Sequence, residues 1–401
     1  MDAILKIQEG INEKYLFFSF IYCIGLGGGY YVYENRHDVF SSTGRVVALS
    51  ISSDGRYVIA GHRGHKLVLW DLEKRTKTVL AKRVNTDTPY FIPNSHDFIW
   101  QGMDNVVHIQ NVEGEELTSF KHFDVARHIM SEDRKLYISA DQTGEIYKGH
   151  GDNMVPIYTD TPTWRHYNFD LSDKYFLTAS SGRGNREDGS VVNMNPVADP
   201  VQPSIYKGSS YNGVVLWDRN TLKPAAELFG FGGRTDALFS PDGKWIVAGG
   251  ENGRDYIWST DNLSYRQELA SIYGLYNPDT GKYDISGNKP VFDDVGVSTP
   301  NTIAYAFVTD TEFVQLTQTG MMDGTGKEYI NLYTVGDPWI KAYVKIGTEP
   351  TISTNFFESS NSVDSAPKAH ILVTGQAAHG GINVYRYHPD KMELEKIWVA
   401  Y

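Results

Sequence analysis

Arg127, His166 and Asp236 share one spacing: each stands eight residues ahead of a lysine, Lys135, Lys174 and Lys244. Superposing those lysines puts a guanidinium, an imidazole and a carboxylate at one position of three successive segments. Such groups held side by side bind a small polar ligand or pair an acid with a base; more often they satisfy one another inside a fold. Other chemistry is thin. His62-x-x-His65 brings two nitrogens and no third ligand, too few for zinc, and reads as two exposed turn residues. Asp293-Asp294 has carboxylates for Ca²⁺ but no EF-hand spacing, and reads as solvated acids. Asn262-Leu263-Ser264 is a glycosylation sequon by pattern alone. There is no G-x-S-x-G elbow and no P-loop. The residues therefore predict no metal, no cofactor and no enzyme.

Composition narrows the classes further. The chain has 401 residues, 21% charged and 41% hydrophobic, which excludes wholesale disorder and leaves room for two or three domains. One cysteine excludes an internal disulfide framework. A formal charge of -12, from 49 acids and 37 bases, makes nucleic acid a poor partner, because phosphate neutralisation needs a basic surface.

The elements that must position these residues are short strands. An aliphatic residue followed by Trp or Tyr closes an apolar run at Val32-Tyr33, Leu69-Trp70, Ile146-Tyr147, Leu216-Trp217, Ile257-Trp258, Leu332-Tyr333 and Val384-Tyr385, and Ile109-Gln110 fills the same slot. Four of the seven intervals lie near 40 residues; the rest fit the same unit carrying insertions. A second strand-like run precedes each marker and a further one follows it. Turns such as Ser53-Asp54-Gly55 and Pro241-Asp242-Gly243 open the preceding run, where Asp bonds the backbone ahead and Gly tolerates positive φ. Each unit thus reads as four antiparallel strands, a to d.

Four strands per unit of about 40 residues resemble the WD40-repeat β-propellers. The best matches are Ala48–Asp71, Ala237–Trp258 and Gly213–Asp218, with the literal Trp-Asp pair at Trp70-Asp71 and Trp217-Asp218. The resemblance implies an all-β fold and a non-enzymatic, cytoplasmic protein-interaction scaffold or subunit of a larger assembly. It also implies that strand a lines an axial channel, so Arg127, His166 and Asp236 are expected as neighbours there. A ligand-binding or enzymatic propeller using that channel is the alternative.

The division expected is a single propeller of eight blades: 2–43, 44–84, 85–123, 124–161, 162–232, 233–299, 300–348 and 349–401. Residues 15–33 carry no charge and are long enough for a membrane helix, so seven blades plus a membrane anchor is the alternative. The cluster Gly25 to Gly29 favours a hairpin turn, and the first blade is read there.

Two insertions stand out, 182–212 between strands b and c of the fifth unit and 272–299 between the sixth and seventh units. In this connectivity b–c and d–a loops open on one rim. Loops on a rigid scaffold carry binding, so this rim is the expected protein-binding face. Its expected contributors are Arg183, Arg186, Tyr206 and Lys207 in one insertion and Tyr273, Tyr276 and Tyr283 in the other.

Overall fold

A serine two residues ahead of an aspartate builds the turn that starts the second strand of three blades. Ser52 Oγ donates to Asp54 Oδ1 over 2.6 Å, Ser131 to Asp133 over 2.7 Å and Ser240 to Asp242 over 2.7 Å. The same hydroxyls accept from the backbone N–H groups of Tyr57 (2.9 Å), Leu136 (3.0 Å) and Trp245 (3.0 Å), which fixes where the next strand begins.

The computed structural model describes residues 44–158, 166–182, 191–193, 214–228, 233–250, 253–277, 279–280, 282–288, 301–319, 327–346, 363–376 and 380–401. The chain divides after Ser42, and the unit Thr43–Tyr401 is the propeller. Its described residues form seven blades of four antiparallel strands, each running from channel to rim in chain order. The innermost strands are Val46–Ile51, Val84–Phe91, Val125–Met130, His166–Leu171, Gly233–Phe239, Asn301–Phe307 and Val363–Ala366. The outermost are Thr76–Lys82, Glu116–Lys121, Val155–Tyr158, Pro224–Leu228, Arg266–Leu269, Asp337–Ile346 and Glu393–Ala400. In the fourth blade Val191–Asn193 adds a further strand outside Pro224–Leu228.

The core is distributed. Seven apolar clusters fill the interfaces between successive blades, one for each. Trp217, Trp258 and Trp70 are fully buried in three of them. Each blade therefore buries both faces, and the fold is stable only as a closed ring.

This corrects the expected eight blades. Val46, Leu49, Val58 and Trp70 of the first blade pack directly on Ala366, Val373, Val384 and Ala400 of the last. Val46 N–H also donates to Gln376 O over 3.2 Å. A Cβ on Gly375 would lie 2.6 Å from Val46 Cγ1, so the two blades meet without space for another. The interface that unit 2–43 would have to occupy is filled, and side-chain packing closes the ring over seven. Residues 1–43, including the uncharged run 15–33, lie outside the described residues. No helix among the described residues is long and apolar enough to cross a membrane.

Candidate functional site

The insertion-bearing rim is built on the fourth and fifth blades. The end of Tyr175–Gly182 pairs with the start of Gly233–Phe239 (Ser181 with Arg234, Gly182 with Gly233), so the 182–212 insertion leaves the ring at the boundary of the fourth and fifth blades. The second insertion leaves from the outer strand Arg266–Leu269 of the fifth blade. It turns at once, with Ser271 N–H donating to Gly274 O (3.0 Å) and Gly274 N–H to Ser271 O (2.8 Å). Gly274 has φ +104°, and a Cβ there would lie 2.0 Å from Asp284 O, so only glycine fits.

A hairpin follows, Leu275–Asn277 against Lys282–Asp284. Asn277 Oδ1 accepts from Asp279 N–H (2.9 Å) and Thr280 N–H (3.2 Å), shaping its turn. Asn288 ties the far end to the ring: its Nδ2 donates to Ser271 O (3.1 Å) and its Oδ1 accepts from Ile340 N–H (3.1 Å) of the sixth blade. The indole of Trp339 lies on Gly287, where a Cβ would be 2.0 Å from Cε2.

The result is an exposed aromatic patch on a fixed support. Tyr276 and Tyr283 are directly opposed in register, with ring centroids 5.3 Å apart, and Tyr273 lies 6.0 Å from Tyr283. Tyr276 is 36% exposed, Tyr283 47% and Ile285 64%. Partial burial raises the hydroxyl pKa of Tyr273 and Tyr283, keeping both neutral donors. Arg183, Arg186, Tyr206, Lys207 and the Asp293-Asp294 pair lie outside the described residues.

Beneath this rim, between the fifth and sixth blades, lies a buried polar plug. Asp255 accepts from Thr302 Oγ1 (2.7 Å), Gln315 Nε2 (2.6 Å) and Tyr305 Oη. Burial pushes this carboxyl up to about 6, against the three donors that favour its charged form.

The axial channel holds the second candidate. A cavity of about 300 Å³ touches all seven inner strands. Side chains on one inner strand bond the backbone of the next. Asp236 accepts from Tyr305 N–H (3.0 Å), Asp170 from Phe239 N–H (2.7 Å), Asp364 from Ile51 N–H (2.9 Å) and Ser50 from Phe91 N–H (3.2 Å). Arg127 spans three blades, with Nε donating to Tyr167 O (2.6 Å) and Nη1 to Asp87 O. Arg127 and Asp236 thus belong to the stitching between blades.

His166 does not join them. Met130 pairs with Tyr137, Leu171 with Phe176 and Phe239 with Ile246, which puts Asn168 level with Arg127 and Asp236. The a–b turn of the fourth blade is two residues shorter, so counting back from Lys174 overshoots. Past a bulge, His166 is buried against Phe169, with Nε2 3.1 Å from Gly144 O, and burial lowers its pKa to about 4.

The channel residues missed in the sequence are Asp170, Asp364 and His128. Burial raises Asp170 to about 7 and Asp364 to about 6, and the charge of Asp364 adds to the shift on Asp170. His128 Nε2 lies 2.6 Å from Thr88 O, and burial lowers it to about 3. An acid between two apolar residues of an inner strand, as in Phe169-Asp170-Leu171, was the signal available.

The His62/His65 pair departs from expectation. His62 is fully buried beside Trp70, with Nδ1 3.0 Å from Gly44 O, and His65 is half-buried, with Nδ1 3.0 Å from Val84 O. Each ring caps a backbone carbonyl at a blade edge. Among the described residues no three His, Cys, Asp or Glu side chains are grouped to hold a metal ion.

The profile of the family described as "WD40: WD domain, G-beta repeat" matches residues 35–71 and 226–259. No curated protein matches the chain. Among solved structures, the fold is similar to the β-propeller domain of Cps50 (Swd1) from Myceliophteria thermophila. The TM-score is 0.56 at 12% identity, over 86% of this chain and 98% of that one.

Proposed function

We propose that this WD40-repeat propeller is a non-enzymatic protein-interaction scaffold that holds its partner on the rim carrying insertions 182–212 and 272–299. The observation behind this is the hairpin Leu275–Asp284. It exposes Tyr276, Tyr283 and Ile285 while Asn288, Gly287 and Trp339 pin it to the sixth blade. Aromatic rings presented on a rigid base bind with little loss of side-chain entropy, and tyrosine adds a hydroxyl that pairs with a polar partner. A cytoplasmic subunit of a larger assembly goes with this reading.

Chemical cross-linking and affinity capture test it, using the full chain beside a chain with both insertions shortened and a Tyr276→Ala/Tyr283→Ala chain. The reading expects the same partners to be lost from both variants while their thermal midpoints hold. Unchanged partner recovery from the folded double deletion removes it.

A second reading rests on the channel cavity, where Asp170 and Asp364 line about 300 Å³ with pKa values raised toward neutrality. A small cationic ligand fits such carboxylates. Calorimetric titration with simple amines separates the readings: saturable binding that Asp170→Asn abolishes favours the channel.

A further inference from the structure

The face opposite the insertions carries a groove at the ring-closing seam, between the last blade and the first. It has a volume of about 440 Å³ and lies beside the a–b turn at Gly55 and the c–d turn at Leu72–Arg75. Its floor is apolar: Leu72, Ile371, Ile397 and Trp398 are half-buried and continue the seam core outward. Burying the rest of that apolar surface under a ligand is favourable.

The groove's charges set the sign of the ligand. Arg56 is engaged by Asp71 (3.5 Å) and Glu73 (3.2 Å) and lies over the Tyr57 ring. Arg75 and Arg386 line the same groove, are exposed, and form no ion pair among the described residues. Glu395 stands opposite Arg386 in register, but its carboxylate is 2.9 Å from His388 Nε2. Two uncompensated guanidiniums thus flank an indole and aliphatic floor, in a chain whose net charge is -12. Guanidiniums of this kind pair with carboxylates, and the apolar floor between them takes a hydrophobic side chain.

We propose that this seam groove binds an acidic peptide segment of a partner protein, with carboxylates on Arg75 and Arg386 and an apolar side chain over Trp398. A nucleic acid fits less well. Two guanidiniums beside an apolar floor make no continuous basic track of the kind a phosphate backbone needs, and the two acids of the lining, Asp54 and Glu73, are themselves engaged by His96 and Arg56. The site is separate from the insertion rim and does not depend on it.

Fluorescence polarisation with two labelled short peptides tests the proposal on the full chain. One carries Asp and Glu around a central Leu-Phe pair, and the other carries Lys in place of the acids. The acidic peptide is expected to bind, more weakly as salt rises. Arg75→Glu/Arg386→Glu is expected to lower its affinity about tenfold or more without moving the thermal midpoint. Shortening both insertions should leave the affinity unchanged, which keeps this test independent of the rim. Failure of the acidic peptide to bind, equal binding of the lysine peptide, or full affinity in the folded charge-reversed variant overturns the proposal. Equal binding of a single-stranded oligonucleotide also overturns it.

Discussion

The backbone N–H of Ile51 donates to Asp364 Oδ2 over 2.9 Å and so ties the first blade to the last across the channel wall. Asp364 Oδ1 accepts from Ser365 N–H at 2.8 Å, so one carboxylate satisfies two backbone donors at the seam where the ring shuts. Asp364→Ala leaves both donors unpaired and should cost about 1–3 kcal/mol. Asp364→Asn keeps an acceptor and should cost less. Denaturant unfolding followed by tryptophan fluorescence reads the difference. Equal stability of the alanine variant and the parent shows that the seam is held by packing alone.

The channel acids give stability a definite pH slope. Asp170 and Asp364 have folded pKa values near 7 and 6, raised first by burial, above their unfolded value near 3.8. The folded state therefore holds more protons than the unfolded one between about pH 4 and pH 7. Stability from these groups is fully present below about pH 4 and is lost as pH rises through about 7. The buried histidines run the other way. His62, His128 and His166 fall to about 4, 3 and 4, so they destabilise as pH drops below about 6. Thermal midpoints measured from pH 5 to pH 8 should carry a declining contribution from these acids up to about pH 7 and none above it, and Asp170→Asn should flatten that decline. A decline as steep in the Asn variant places its origin elsewhere.

The hairpin should fail separately from the ring. Gly274→Ala puts a Cβ into Asp284 O at φ +104°, and Gly287→Ala puts one into the Trp339 indole. Each is expected to cost about 1–3 kcal/mol locally. Limited proteolysis should then cut between Tyr273 and Asn288, while the main unfolding transition moves by only a few degrees. Loss of the main transition shows that the hairpin is part of the ring's cooperative unit.

The fourth blade depends on a bond its sequence does not advertise. Trp217 Nε1 donates to Thr178 Oγ1 over 3.1 Å inside the interface with the third blade. Trp217→Phe loses that donor and some packing, and should cost about 1–3 kcal/mol. Thr178→Val, which keeps the volume, should cost about as much as the bond. The double variant should cost less than the sum, because the interaction is removed once. Strict additivity denies the coupling.

Local chemistry is legible without coordinates. The serine–aspartate turns, the strand markers from Leu69-Trp70 to Val384-Tyr385 and the places of both insertions follow from residue types a few positions apart, because turns and pleated strands are set by short-range sterics and hydrogen bonds. The blade count is not local: it turns on whether Val46 meets Gly375, residues more than three hundred positions apart, and a repeat at 2–43 says nothing about whether the ring has a sector left for it. His166 shows the same limit on a smaller scale. Its distance to Lys174 matches that of Arg127 to Lys135, but cross-strand pairing sets its place, and a turn two residues shorter brings Asn168 into the row. Apolar neighbours mark Asp170 as an acid within a strand, but nothing in the sequence places Asp170 and Asp364 around one cavity. Only the assembled channel, by withdrawing them from water and setting one against the other, gives them raised pKa values, and only closure of the seam places Arg75, Arg386 and Trp398 around one groove.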